Sequence, residues 1–533
     1  MINPDTKARL LFMGQLPLLF IFALLFPQWP LYSSHQNTYL LHGLANAGMG
    51  FLRLDWLAHT TDPFPAFSAL VSITLRTLGE NAFYFFYIVI AAIYGYSILG
   101  IASHVFGIDS TSEKYLTYFV LLAVLDSGLL AGPLLKVHGL SPFVPVFEPD
   151  GLLTRGVAYQ SILGQIFQPS LFGVFLVLSV FFFLREKPFL AVACSAIAAT
   201  FHSSYFLSAA VLTGTYMAVI LIKAKDYRKV LLLGVTSLLL MTPALLYAYL
   251  NFRPTTPDTF AHGQNILVNV RIPYHAIVAE WFNRSAVFQI LIIALSIYLV
   301  RGTKLFPILL GMFLAAGLLT AIQMLTANKS LALLLPWRIS TVLVPIASSL
   351  ILAKFVSVVF QVWHNPLSKW VKPLQTVMLA IIMVLGYLGV HQTITLLYTP
   401  RAGLNASARF VTSTYQPGNL YLIPTDMELF RLAAKVPILV DYQSNPYKDT
   451  DVVEWFNRVE IANSFYSASG KTACNILDNI ADKYRITHVV LKSQSSIPDC
   501  GVLHAIYKDT DFAIYTVNDN EELLVSEKDK SAV

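Results

Sequence analysis

The chain has 533 residues, of which 56% are hydrophobic and only 12% charged, and its mean hydropathy is +0.62. Soluble globular proteins carry about 25% charged residues, so this is the composition of a membrane protein. It excludes a soluble enzyme and a disordered chain. The net charge of +6 does not indicate nucleic-acid binding, because the excess of positive charge belongs to the membrane loops.

The charge is unevenly distributed along the chain. Residues 401–533 hold 13 Lys and Arg and 17 Asp and Glu, which is ordinary for a soluble domain. Residues 1–400 hold 23 and 13 in a much longer stretch. This contrast predicts a transmembrane domain over 1–400 and a soluble domain over 401–533.

Long apolar runs in the first 400 residues predict the membrane spans. A spanning helix needs about 20 mainly apolar residues. About eleven runs qualify, near 10–27, 81–103, 115–133, 169–184, 189–204, 206–222, 230–249, 286–300, 305–325, 335–359 and 375–397. The predicted fold is therefore a polytopic α-helical membrane protein.

The connectors between these runs predict an orientation. One set is short and neutral or basic, which is typical of cytoplasmic loops. The other set is long and comprises residues 28–80, 134–168 and 250–285. We therefore expect a cytoplasmic N-terminus and, after an odd number of spans, a tail outside the cytoplasmic membrane of a bacterium.

The tail alternates between two kinds of pattern. Runs rich in β-branched and aromatic residues predict strands at 419–424, 436–442, 487–491 and 512–517. Amphipathic stretches predict helices at 426–434, 452–459 and 474–484. This indicates a small α/β domain, in which Cys474 and Cys500 can pair if the tail faces an oxidising compartment.

The first long loop contains the strongest candidates for catalysis, Asp55 and Asp62. Amphipathic helices on both sides, one of them over 65–78, would hold these carboxylates at the membrane surface. A carboxylate there could deprotonate a hydroxyl group or bind a divalent cation. The alternative is structural: Asp55 pairs with Arg53, and Asp62 caps the helix that follows Pro63.

Two motifs in this loop resemble a known superfamily. Residues 50–56 read Gly-Phe-Leu-Arg-Leu-Asp-Trp, and residues 62–65 read Asp-Pro-Phe-Pro. With one span before them and an α/β tail at the end, they resemble the GT-C superfamily of integral-membrane glycosyltransferases, and within or near it a group of bacterial polytopic proteins. The resemblance implies sugar transfer from a polyprenyl-phosphate donor, with Asp55 as base and Asp62 as second candidate.

The chain departs from the superfamily pattern at one point. Many members have two adjacent acidic residues in this loop, whereas Trp56 follows Asp55 here. The cofactor therefore stays unknown, with Mg²⁺ or Mn²⁺ as the candidate cation.

Several residues of the long loops and outer helix ends are candidates for substrate binding. Arginine binds phosphate in a bidentate manner and stays charged when it loses its water. Arg338 follows Pro336 and Trp337 at a predicted helix start, and Arg271 precedes a predicted helix start at Pro273. The candidate set is Arg53, Glu148, Asp150, Arg155, His202, His262, Gln264, Arg271, His275 and Arg338.

Each of these candidates has a structural alternative. Arg338 could extend to the interface or pair with an acidic loop residue. Glu148 and Asp150 could pair with Arg155, and His202 could bond a neighbouring helix. His262 and Gln264 are expected on a loop, where they could contact a sugar.

The sequence thus favours a membrane glycosyltransferase that modifies an envelope glycan, lipid or protein. Its expected partners are a lipid-linked sugar donor and membrane lipids. The alternatives are a transporter or flippase of a lipid-linked or small polar substrate, and a non-catalytic partner protein with the same fold. The absence of an internal repeat counts against a transporter.

Overall fold

The computed structural model describes residues 15–126, 153, 155–362, 371–403, 405–493 and 500–517. They divide into two compact units. The helical unit takes its residues from 1–29, 81–250 and 267–398. The mixed unit takes its residues from 30–80, 251–266 and 399–533. The predicted boundary near residue 400 therefore coincides with a unit boundary, but the mixed unit also contains the first long loop and a second insertion.

The helical unit has a helix at every predicted span. Among the described residues, six helices are long and apolar enough to cross a membrane, which makes the chain a multi-pass membrane protein. The remaining helices are shorter, so the count of eleven spans stays a prediction. The bounds are Gln15–Leu24, Ala82–Phe106, Ser112–Asp126, Val174–Leu184, Pro188–Phe201, Phe206–Ala224, Tyr227–Phe252, Arg284–Leu299, Leu305–Thr326, Ser340–Val362 and Val371–Tyr398.

Short helical segments join several of these long helices. Proline begins several of them, because its fixed φ suits the first helical turn. Their bounds are Pro169–Gly173, Ser203–Tyr205, Leu267–Arg271, Pro273–Ala276, Val278–Trp281, Lys329–Leu333 and Pro336–Ile339.

The mixed unit contains amphipathic helices and one small sheet. In the helix Gly470–Tyr484, the buried residues Ala473, Leu477 and Ile480 recur at helical spacing and face the core. The other helices are Gln36–Tyr39, Leu41–Ala47, Pro65–Thr77, Pro257–Ile266, Ala406–Thr414, Phe430–Ala434 and Asp449–Ser467. His262 and Gln264 thus lie on the helix Pro257–Ile266, and the expectation of a loop there was wrong.

The sheet has four strands, β1 (Tyr421–Leu422), β2 (His488–Lys492), β3 (Leu503–Lys508) and β4 (Phe512–Val517). Their order in the sheet is β1-β2-β4-β3. Strand β1 pairs in parallel with β2, and the other pairs are antiparallel. The predicted strand at 436–442 contributes only an isolated bridge from Ile438 to Tyr421.

Candidate functional site

The helical unit buries one arginine among neutral groups. Arg338 lies in the turn Pro336–Ile339, just before the helix Ser340–Val362, and is 8% exposed. Its Nη2 atom is 3.4 Å from Nε2 of His202, and its guanidinium carbon lies 5.0 Å from the ring centre of Tyr205. Both partners come from the segment between the helices Pro188–Phe201 and Phe206–Ala224. The sequence candidates Arg338 and His202 are therefore neighbours.

Neither partner of Arg338 neutralises its charge. No carboxylate among the described residues forms an ion pair with it, and its Nε atom is buried without a hydrogen-bond partner. Burying an unpaired charge costs several kcal/mol or more. The site is therefore suited to an anion that supplies the missing acceptors.

Three other candidates belong to the helical unit. Arg271 is buried at the end of the segment Leu267–Arg271. Nδ1 of His275 donates a hydrogen bond of 2.6 Å to the carbonyl oxygen of Ala158. Arg155 bridges to Ser161 through its backbone, and its carbonyl oxygen accepts a hydrogen bond from Gln289. In these contacts His275 and Arg155 fix the local backbone.

The mixed unit encloses Asp55 in an ion-pair network. Asp55 is fully buried, and its Oδ2 atom accepts hydrogen bonds of 3.0 Å from Nε of Arg431 and from the backbone N–H of Ile438. Its Oδ1 atom accepts a third bond, of 2.9 Å, from the N–H of Leu57. The predicted alternative partner, Arg53, is exposed instead. Asp55 is therefore paired as the structural alternative requires, but with a different arginine.

A second carboxylate completes this network. Nη1 of Arg431 is 2.6 Å from Oδ2 of Asp441, but the two atoms are misaligned for a hydrogen bond, so the contact is an ion pair only. Burial raises the pKa of Asp441, although the Arg431 charge opposes this effect. Burial would lower the pKa of Arg431, but the charges of Asp55 and Asp441 raise it overall. One guanidinium thus serves two buried carboxylates.

Glu80 provides a second attachment, at the end of the first loop. Its carboxylate accepts hydrogen bonds from Tyr32 at 2.7 Å, Arg401 at 3.0 Å and Lys435 at 3.2 Å. Burial alone would raise the pKa of Glu80, but these partners lower it below its ordinary value. The first loop is therefore held within the mixed unit by two charged clusters.

Asp62 has a different environment from Asp55. It is half-buried, and its Oδ1 atom accepts a hydrogen bond of 2.8 Å from the N–H of Phe64, the residue before the helix Pro65–Thr77. Burial lowers the pKa of the nearby His42, and the charge of Asp62 opposes that shift. Asp62 therefore supports the helix start and is less deeply buried than Asp55.

Two of the remaining candidates lie on one helix of the mixed unit. His262 is exposed and Gln264 half-buried on the helix Pro257–Ile266. Glu148 and Asp150 lie outside the described residues. Within the described ranges, no group of three His, Cys, Asp or Glu side chains could hold a metal ion. A requirement for Mg²⁺ or Mn²⁺ therefore stays a prediction, and no step below uses a metal ion.

Sequence reasoning missed two residues of importance. Arg431, the partner of Asp55, lies 376 positions away in the sequence, and its segment reads as an ordinary amphipathic helix. Gln160 lies in the second long loop and is only 1% exposed. No spacing or composition distinguishes a buried glutamine in such a loop.

A family model describes part of the mixed unit. It is a domain of unknown function, DUF6798, and matches residues 402–462. This range includes Arg431 and Asp441 but covers a small part of the chain. The search of curated proteins finds no match.

Solved structures also show a likeness. The chain is similar over 96% of its length to the crystal structure of ArnT from Cupriavidus metallidurans bound to undecaprenyl phosphate, and the match covers 98% of that chain at 12% identity. The TM-score is 0.44, so this likeness carries no argument about function, which must be argued from the side chains.

Proposed function

We propose that the chain is a membrane glycosyltransferase that takes a sugar from a polyprenyl-phosphate donor. Transfer would occur at the outer face of the bacterial cytoplasmic membrane, to an envelope glycan, lipid or protein. The observation that carries this proposal is the buried charge of Arg338, which has no carboxylate partner among the described residues.

A lipid phosphate meets the requirements of this site. Its oxygens supply acceptors for the unpaired Nε of Arg338, and a charged hydrogen bond of this kind is stronger than a neutral one. The lipid chain can remain in the membrane around the apolar helices. During transfer the bond between the sugar carbon and the phosphate oxygen breaks. Arg338 then stabilises the negative charge that develops on the leaving phosphate.

The acceptor hydroxyl must lose a proton as its oxygen bonds to the sugar carbon. Of the two carboxylates expected from the sequence, Asp62 suits this role better, because it is half-buried. Asp55 is fully buried and accepts three hydrogen bonds. We therefore assign Asp62 as the base and Asp55 as a positioning residue.

Arg338→Met tests the proposal directly. The change removes the charge and keeps most of the side-chain volume, so undecaprenyl phosphate should bind at least about tenfold more weakly, which corresponds to about 1.4 kcal/mol. Native mass spectrometry of the purified full-length protein in nanodiscs can measure this. Arg301→Met is the matched control, because Arg301 is exposed at a helix end and should not affect binding.

Two outcomes would contradict the proposal. One is binding of undecaprenyl phosphate by a folded Arg338→Met variant that equals binding by the unmodified chain. The other is failure of the unmodified chain to bind this lipid, which would favour a non-catalytic partner protein. A transporter would instead move the labelled lipid between leaflets of a proteoliposome without transferring sugar.

A further inference from the structure

A buried glutamine of the helical unit has no partner for its amide group. Gln160 is 1% exposed, and both its Oε1 and its Nε2 atoms are buried without a hydrogen bond to any described residue. Leaving one buried polar group unpaired costs about 1–3 kcal/mol. We therefore expect Gln160 to serve a role other than stabilising the fold.

The backbone around Gln160 is also strained. Ala158 and Tyr159 both have left-handed conformations, with φ of 61° and 56°. Each costs a non-glycine residue about 1–2 kcal/mol. Such conformations persist only where the surroundings impose them, and they concentrate at functional sites.

The surroundings do impose this conformation. Within the turn, the N–H of Gly156 donates a hydrogen bond of 2.7 Å to the carbonyl oxygen of Gln160. Side chains from three other segments then hold the turn at successive residues. Gln289 donates to the Arg155 carbonyl oxygen at 3.0 Å, and the Val157 N–H donates to Ser340 Oγ at 2.7 Å. His275 donates to the Ala158 carbonyl oxygen at 2.6 Å, and Asn283 donates to the Tyr159 hydroxyl at 2.6 Å.

The same contacts fix the turn against the segment that carries Arg338. Ser340 Oγ accepts the Val157 N–H and donates to the carbonyl oxygen of Trp337. The approach is close, since a Cβ atom at Gly156 would lie 2.6 Å from Ser340 Oγ. The indole N–H of Trp337 and the Nε of Arg338 are also buried without a hydrogen-bond partner in the part of the chain that the structure describes. Ser340 thus joins two segments that each contain buried polar atoms without a partner among the described residues. One segment contains Gln160, and the other contains Trp337 and Arg338.

We propose that Gln160 recognises a hydroxyl group on the sugar of the lipid-linked donor. This rests on the proposed function, because it assigns the sugar contact of the same donor whose phosphate Arg338 binds. An amide has one donor group and one acceptor group, and a hydroxyl can satisfy either or both. A phosphate has only acceptor oxygens at neutral pH and would leave Oε1 of Gln160 unpaired. Gln160 is therefore a specificity-determining residue.

The test compares lipids with and without a sugar. The purified full-length protein in nanodiscs is titrated with undecaprenyl phosphate and with a panel of undecaprenyl-phosphate hexoses and pentoses. The unmodified chain should prefer at least one sugar lipid over the sugar-free lipid. Gln160→Met should reduce that preference about five- to tenfold, as loss of one or two neutral hydrogen bonds requires, while undecaprenyl phosphate binds as before.

Thermal unfolding without ligand separates this role from a structural one. Gln160→Met removes an unpaired amide from the interior, so its unfolding midpoint should be unchanged or higher. The control is Gln36→Met. Gln36 is equally buried, but its Oε1 accepts a hydrogen bond of 2.6 Å from Tyr32. This control should unfold at a lower temperature and keep the sugar preference.

The outcomes also separate the inference from the proposed function. Equal binding of all sugar lipids and undecaprenyl phosphate by the unmodified chain, or an unchanged preference in Gln160→Met, would overturn the role of Gln160 alone. A lower unfolding midpoint of Gln160→Met with the preference intact would show a structural role. If Arg338→Met leaves binding of undecaprenyl phosphate unchanged, the proposed function itself fails.

Discussion

Two buried arginines of this chain differ in what surrounds them. Arg431 contacts two buried carboxylates, Asp55 and Asp441. Arg338 contacts an imidazole and an aromatic ring. A guanidinium with carboxylates on both sides has its counter-charge within the fold, whereas one with neutral partners requires it from elsewhere. The first arrangement indicates structure and the second indicates ligand binding.

We expect different effects from substituting the two carboxylates of the first loop. Asp55 is enclosed in the ion-pair network of Arg431, whereas Asp62 is half-buried. In Asp55→Asn, an amide N–H₂ or a neutral oxygen would replace the Oδ2 that accepts from Arg431 and Ile438. The free energy of unfolding should fall by about 2–4 kcal/mol. Asp62→Asn can retain its bond to the Phe64 N–H, so it should lose less than about 1 kcal/mol.

Sugar incorporation into the envelope fraction of cells, measured beside thermal unfolding, distinguishes the two roles. Asp62→Asn should stop incorporation with little change in the unfolding midpoint. Asp55→Asn should lower incorporation only as far as it lowers the amount of folded protein. Full incorporation by the Asp62 variant would exclude Asp62 as the base. A stable but inactive Asp55 variant would restore Asp55 to that role.

A disulfide joins a helix of the mixed unit to the segment that leads into its sheet. Cys474, in the helix Gly470–Tyr484, forms a disulfide with Cys500, which precedes strand β3. The bond closes a segment of 26 residues. In the chain-entropy model such a loop contributes about 3.5 kcal/mol by restricting the unfolded chain.

Cys474→Ala with Cys500→Ala should therefore lower the free energy of unfolding of the mixed unit by about 2–4 kcal/mol. Limited proteolysis of the membrane-bound protein can follow the loss, because an opened tail is cut faster. Cys194→Ala is the matched control, since Cys194 is a free, buried thiol of the helical unit. Equal proteolysis rates for the double variant and the control would show that the disulfide does not stabilise the tail.

The elements differ in how well the sequence predicts them. Long apolar runs specify membrane helices by themselves, because such a helix satisfies its own backbone hydrogen bonds. Strand β3 was missed, since most of its residues are exposed and its pattern lacks a buried face. Pairing between distant residues, as in Asp55 with Arg431, cannot be inferred from local spacing. The sequence predicts a substrate region in the second long loop. It cannot show that the Gln160 amide is buried there without a partner among the described residues.

For the whole molecule, two separate observations support a tail outside the cytoplasm. Most short connectors of the helical unit are neutral or basic, which is typical of the cytoplasmic side. The disulfide of the mixed unit requires an oxidising compartment. The first observation depends on counting spans and the second does not, so their agreement strengthens the expected orientation.

Cysteine labelling can test this orientation in spheroplasts of a bacterial host. In a Cys194→Ala background, Ser413→Cys places a thiol at an exposed position of the mixed unit, and Arg228→Cys places one at the exposed start of the helix Tyr227–Phe252. A membrane-impermeant maleimide should label the Ser413→Cys variant at once. The Arg228→Cys variant should be labelled only after permeabilisation. The reverse pattern would put the tail in the cytoplasm, where its disulfide would be reduced.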